Sequence, residues 1–209
     1  MFPETISSRH TGLLEIISKE KYICEKFYLA GGTALALQIG HRKSFDLDFF
    51  SSDDFNVNDI AFNISQNLNG IINSTGDNTL YVTIDNIKIS FISFKYRILK
   101  EFIKFSNINL ASFEDIACMK CTSISQRAEK KDFYDLYEIL RRLQPLELRN
   151  LLVEKYDIEG FNPYYLAKTF FYFDEVENSP EPLSLNGTTW KIVKNYLIRN
   201  QAIILKAFT

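Results

Sequence analysis

Between Leu13 and Phe27 the apolar residues Leu13, Leu14, Ile17, Ile23 and Phe27 recur at helical spacing, which predicts one or two opening helices. Tyr28, Leu29 and Ala30 then make a short apolar run into Gly31-Gly32, the pattern of a strand entering a turn. Thr33 is placed to cap a helix over 34–39 that Gly40 ends. From Ser44 to Phe50 the period changes to two. Phe45, Leu47 and Phe49, joined by Phe50, are expected on a buried face, with Asp46 and Asp48 together on the other. Ile60 to Ile72 predicts another helix, and the polar cluster Asn73 to Asn78 a loop. Leu80 to Ile84 and Ile87 to Phe94 read as two strands about a two-residue turn, Asp85-Asn86. The expected product is a small mixed sheet flanked by helices.

From Ser112 onward the pattern is helical. Ser112 with Asp115 three residues later resembles a capping box, with Asp in place of Glu or Gln. Phe133, Leu136, Tyr137 and Leu140 fall at i, i+3, i+4, i+7, Asn162-Pro163 opens a further helix, and Thr188 leads into one over Trp190 to Phe208. Glu177 to Gly187, rich in Pro, Ser and Asn, is expected as a loop. The fold class is therefore α+β: a core over 1–110 followed by a helical part over 111–209.

Composition changes this picture little. A chain of 209 residues, 46% apolar and with eighteen Phe and eleven Tyr, builds a real and unusually aromatic core, which argues against disorder. A net charge of -2 gives no global attraction for a polyanion, so nucleic-acid contact would need a local basic patch. No apolar run reaches membrane-spanning length and the first residues lack a signal pattern; the expectation is a cytoplasmic protein with no membrane partner. Cys24, Cys118 and Cys121 are read as reduced thiols. Cys118 and Cys121 form a C-x-x-C, but with only His10 and His41 to add, tetrahedral zinc lacks ligands, and two half-buried thiols on a helix are the better reading.

Two motifs carry chemistry. Glycines at 31 and 32 let backbone N–H groups approach a phosphate, and the helix start that follows adds its positive end, although Gly-Gly-Thr alone is more often only a turn. Asp46 and Asp48, side by side on one strand face, are hard oxygen ligands that can hold Mg²⁺ (or Mn²⁺) against a triphosphate; an isolated Asp-x-Asp is also a common solvated face. Two adjacent carboxylates opposite a buried apolar face repel each other unless a cation intervenes. His41, beside Arg42, is expected at the surface or on the phosphate side, with no partner legible.

The order and spacing of these parts, GGTALALQIGHRKSFDLDFF, resemble the nucleotidyltransferase superfamily signature and, more narrowly, the AbiEii/AbiGii-type nucleotidyltransferase toxin family, through Arg42, Ser44, Asp46, Leu47, Asp48 and Phe49. A second block, DIACMKCTSISQRAEKKDFYDLYEIL, is similar to that family's downstream motif at Lys120, Arg127, Lys131, Asp132 and Asp135. The resemblance spans roughly Leu29 to Leu140. It implies a nucleotidyltransferase fold whose helical C-terminal part closes the cleft, and an enzyme that transfers a nucleoside monophosphate from an NTP to an acceptor hydroxyl. Asp46 and Asp48 would be the metal ligands. Gly31, Gly32, Thr33, Arg42, Lys120 and Arg127 would bind the nucleotide, and Asp132 or Asp135 would orient Lys120 or act as base. Lys120 and Arg127, seven apart, share one face of an unbroken helix.

The resemblance further implies the toxin of a bacterial toxin–antitoxin or phage-defence pair, with tRNA or a protein as acceptor and a cognate antitoxin as partner. One position departs from the superfamily: a third carboxylate is expected on the strand Ile87 to Phe91, where Ser90 stands. A serine is a poor anionic ligand or base. This keeps open a non-catalytic, degenerate transferase that binds a nucleotide or partner; a small-molecule (antibiotic or sugar) nucleotidyltransferase shares the same core.

Overall fold

The computed structural model describes residues 1–157 and 161–209, which form two compact units. The first comprises 1–39, 44–96 and 101–111; the second comprises 40–43, 97–100 and 112–209.

The first unit holds a seven-stranded mixed sheet. Its strands in chain order are β1 (Tyr28–Ala30), β2 (Leu47–Ser51), β3 (Ile71–Gly76), β4 (Thr79–Ile84), β5 (Ile87–Ser93), β6 (Ile103–Phe105) and β7 (Ile108–Leu110), arranged β3-β4-β5-β2-β1-β7-β6. β2 runs parallel to β5 and β1 parallel to β7, while the remaining pairs are antiparallel. Around the sheet lie α1 (Ser8–Ile17), α2 (Lys21–Lys26), α3 (Gly31–Ile39) and α4 (Val57–Asn67). Leu29, Leu35, Leu37, Leu47 and Phe49 are fully buried, and the rings of Phe27, Phe49 and Phe91 pack against one another at 5.1 and 5.4 Å. The turn at Asp85-Asn86 has both residues at positive φ, 50° and 62°, as a tight two-residue hairpin requires.

The second unit is helical, with α5 (Phe113–Arg127), α6 (Lys130–Leu140), α7 (Pro145–Lys155), α8 (Pro163–Lys168) and α9 (Trp190–Phe208). The apolar spacing on α6 is a core face: Phe133, Leu136, Tyr137 and Leu140 are all buried. Phe133 and Tyr134 meet Trp190 of α9. Asn162 caps α8 and Ser112 caps α5 through the amide of Asp115. The Asp115 side chain does more than cap. It is fully buried, 2.6 Å from Lys155 Nζ, and accepts the amides of Leu99 and Lys100.

Several expectations change. Residues 73–78 are not a loop: β3 covers most of them, and α4 ends at Asn67. All six β3 residues are exposed, so no alternation betrays the strand, which is held by its ladder with β4. The hairpin of β6 and β7 was too short to read. Phe45 is 55% exposed because β2 starts only at Leu47, and Phe50 shares the face of Asp48. Thr33 lies inside the first turn of α3, which starts at Gly31, so it is not the cap. Thr189, next after the Thr188 that leads into it, caps α9.

Candidate functional site

In the first unit the motif residues converge at the junction of β1, α3 and β2. Ala30 pairs with Asp48 across β1 and β2, so the glycine that follows meets the carboxylate. Gly31 has φ +65°, and a Cβ there would stand 2.5 Å from Asp48 Oδ2. Glycine is therefore required twice, by conformation and by space. The start of α3, whose first-turn amides have no partner within the helix, opens beside that carboxylate.

Thr33 is buried, and its hydroxyl donates to the carbonyl of Asp46 in a very short contact and lies 2.8 Å from Ser44 Oγ. Thr33 and Ser44 thus clamp the backbone that presents the acid pair. Asp46 and Asp48 are themselves half-buried. Facing Asp48 across the parallel β2–β5 pair is Ser90, whose hydroxyl donates to Asp48 Oδ1 at 2.7 Å.

A second cluster lies wholly within the second unit, and it is closed. Lys120 on α5 donates to Asp132 Oδ1 at 2.9 Å and reaches Asp135 Oδ2 at 2.7 Å. Asp135 is fully buried and also accepts Arg42 Nε at 2.7 Å, Arg42 Nη2 at 2.8 Å and His41 Nε2 at 2.7 Å. Asp132 sits in the first turn of α6, its second oxygen accepting the amide of Glu129, so it is not the N-cap itself.

Burial opposes ionisation of Asp135. Arg42, Lys120 and the hydrogen bonds from His41 and Arg42 outweigh it and hold the carboxyl well below the usual range. Burial likewise works against charge on Lys120, but Asp135 and Asp132 raise its ammonium above the ordinary lysine value. Sequence reasoning paired neither His41 nor Arg42 with Asp135, because 94 and 93 residues separate them. His41 is 3% exposed, not a surface residue.

The other predicted residues fall differently. Arg127, at the last position of α5, is mostly exposed and 4.0 Å from Glu129, whereas Lys120 on the same helix is buried. Lys131 also pairs with Glu129, at 3.0 Å. Cys118 and Cys121 are fully buried on α5; burial pushes the Cys118 thiol up to about 12 and the Cys121 thiol well up too, so both act as apolar side chains. No helix among the described residues is long and apolar enough to cross a membrane.

Comparison with known proteins identifies the family and the fold. The family model described as "Nucleotidyl transferase AbiEii toxin, Type IV TA system" matches residues 18–100 and 82–187. An uncharacterized protein of Aquifex aeolicus (strain VF5), aq_aa25, is 37% identical over 161 residues, 73% of this chain and 76% of its own length. Among solved structures, JHP933 from Helicobacter pylori superposes with a TM-score of 0.56 at 19% identity, covering 97% of this chain and 94% of that one. MenT4, a nucleotidyltransferase toxin from Mycobacterium tuberculosis H37Rv, gives 0.52 at 17% identity, covering 88% and 74%. The fold is thus a nucleotidyltransferase fold, and the chain belongs to the AbiEii nucleotidyltransferase toxin family.

Proposed function

We propose that this protein transfers a nucleoside monophosphate from an NTP to a hydroxyl of tRNA or of a protein, as the toxin of a toxin–antitoxin or phage-defence pair with a cognate antitoxin. The observation that carries the reading is the fit of Gly31 against Asp48, which brings a carboxylate to the start of a helix with no side chain between them. Such a junction accommodates a polyphosphate and a divalent cation together.

The donor set suits Mg²⁺ or Mn²⁺: two half-buried carboxylates, Asp46 and Asp48, and the hydroxyl of Ser90 are hard oxygen donors. Phosphate oxygens and water would complete the shell. When bound, the cation supplies Lewis-acid neutralisation of charge developing on the phosphates.

The protein's own groups do the rest. Amides at Gly31 and Gly32 cradle the β- and γ-phosphates, while Thr33 and Ser44 hold the Asp46 backbone in place. Lys120 has three ammonium donors, two of them held by Asp132 and Asp135, and the third is assigned to the triphosphate and leaving pyrophosphate. Arg127, exposed at the end of α5, is assigned to the same phosphates. Asp132 and Asp135 act by orienting Lys120, since their oxygens already accept the bonds described above. Arg42 acts through Asp135. The acceptor oxygen bonds the α-phosphorus as the bond to pyrophosphate breaks.

The test is incubation of the purified protein with labelled NTPs, Mg²⁺, total RNA and a protein extract. Label in RNA or protein, lost in Asp46→Ala, supports the reading. No label anywhere, with wild type and Asp46→Ala equally harmless to cells, ends it. Label on a small hydroxylated molecule alone changes the acceptor class.

The Ser90 hydrogen bond to Asp48 favours one second reading, a degenerate transferase that binds without turnover. Calorimetry with NTP and Mg²⁺ separates the two, because binding with no nucleotide consumed supports only the second.

A further inference from the structure

None of the roles assigned so far includes His41, yet its ring is buried and makes one specific bond, Nε2 to Asp135 Oδ1 at 2.7 Å. Asp135 then accepts four hydrogen bonds in all, from His41, twice from Arg42, and from Lys120, which is the capacity of a carboxylate. In this cluster two cations, Lys120 and Arg42, meet two anions, Asp132 and Asp135. A carboxylate oxygen only accepts, so the ring nitrogen that faces it, Nε2, carries the proton of that bond. The other nitrogen, Nδ1, is buried and meets no hydrogen-bond partner among the described residues. An imidazole with one nitrogen unsatisfied is an expensive way to fill space, since an unpaired buried polar atom costs stability that a phenyl ring would not. What distinguishes histidine here is the single N–H aimed at Asp135.

We propose that His41 is a positioning residue: donating from Nε2, it fixes the Asp135 carboxylate, which together with Asp132 aims the Lys120 ammonium. The consequence for turnover rests on the role given above to Lys120; the consequence for the ammonium does not. A carboxylate free to turn about its Cβ–Cγ bond would leave Lys120 with a choice of partners, and small misplacements of a charged donor cost rate steeply.

The variants that test this are His41→Gln, His41→Asn and His41→Phe. A glutamine amide nitrogen falls near the position of Nε2, and an asparagine amide nitrogen near that of Nδ1, where nothing accepts it. Phenylalanine keeps the bulk and removes both. The readouts are kcat/KM for the NTP and the ¹⁵N–¹H signal of the Lys120 ammonium, which burial and two carboxylate partners protect from rapid exchange. The expected result is a fall of about 10–100-fold in kcat/KM for His41→Phe and His41→Asn, with loss or displacement of the ammonium signal. His41→Gln recovers most of both.

An unchanged ammonium signal in His41→Phe, or equal behaviour of Gln and Asn, overturns the proposal. If His41→Phe fails to fold, the Gln–Asn comparison still decides. A wild type that transfers nothing, with the ammonium signal nonetheless following the Gln-over-Asn order, defeats the transferase reading and leaves the positioning role standing.

Discussion

Two pairs of aspartates lie in two different settings. Asp46 and Asp48 stand half-buried on and just before one strand, and Asp48 has Ser90 and Gly31 as neighbours. Asp132 and Asp135 are buried on a helix among Lys120, Arg42 and His41. Acids given their own cations are part of the architecture, because their charge is spent within the fold. Asp48, set beside a hydroxyl and a helix start, is the carboxylate whose setting suits a cation taken from solution, the role proposed for it above. Sequence proximity to a signature does not separate these cases; the company each carboxylate keeps does.

The largest expected effects test whether each pair behaves as its surroundings dictate. Asp48→Ala should lower nucleotide transfer by about a thousandfold, in line with losing several kcal/mol of charge stabilisation. Its unfolding free energy should move by no more than about 1 kcal/mol, since the loss is one hydrogen bond from Ser90. Asp135→Ala should lower transfer too, by releasing Lys120, but unlike Asp48→Ala it should also destabilise the fold by about 3–5 kcal/mol, because buried Arg42 and Lys120 lose the carboxylate they share. Denaturant titration and turnover on both variants check the contrast. If Asp48→Ala unfolds the protein while Asp135→Ala leaves stability intact, the division between accessible and architectural acids is wrong.

Smaller changes sharpen the picture of the accessible pair. Gly31→Ala forces a methyl group toward Asp48 Oδ2 at 2.5 Å from a backbone at φ +65°. It should cost about 1–2 kcal/mol of stability and depress transfer by more than that loss explains, because Asp48 itself is displaced. Ser90→Asp places a third carboxylate beside Asp48. Without cation it should destabilise by about 1 kcal/mol or less, from like charges directly opposite on adjacent strands. Added Mg²⁺ should then stabilise Ser90→Asp more than wild type in a thermal melt, and an equal shift would show that no cation binds there.

Much of this was legible because the site's first half is local. Gly31 to Asp48 is eighteen positions of continuous sequence in which the glycine turn, the helix and the period-two run each leave a mark. The hairpin at Asp85-Asn86 and the core face of α6 were legible for the same reason. What escaped reading depends on contacts distant in sequence or on geometry without a hydrophobic signal. β3 has no buried side to alternate. Phe45 fits the alternation but lies outside the strand. The role of Thr33 in clamping Asp46 needs the fold, since eleven and thirteen positions separate it from its partners. Arg42 and His41 meet Asp135 only because 40–43 belong with the helical unit, although the residues on both sides belong to the sheet unit. No periodicity encodes that excursion.

The smallest expected effect concerns acid. The folded Asp135 carboxyl is held well below its usual range by Arg42, Lys120 and His41 against the opposing effect of burial, while in the unfolded chain it titrates near about 4. Through acid the unfolded state therefore binds more protons, and the contribution of Asp135 is present above about pH 4 and lost as pH falls through the depressed folded value. Lys120 has the opposite sign: its raised value makes its contribution complete at neutral pH, lost only as alkali passes that value. Asp135→Asn lacks the acid branch. The stability gap between wild type and Asp135→Asn should thus stay level from about pH 8 to pH 5 and narrow below about pH 4. Urea titrations at a series of pH values measure it, and a gap that widens in acid would mean that the folded carboxyl is not the stabilised anion its three cationic or donor neighbours require.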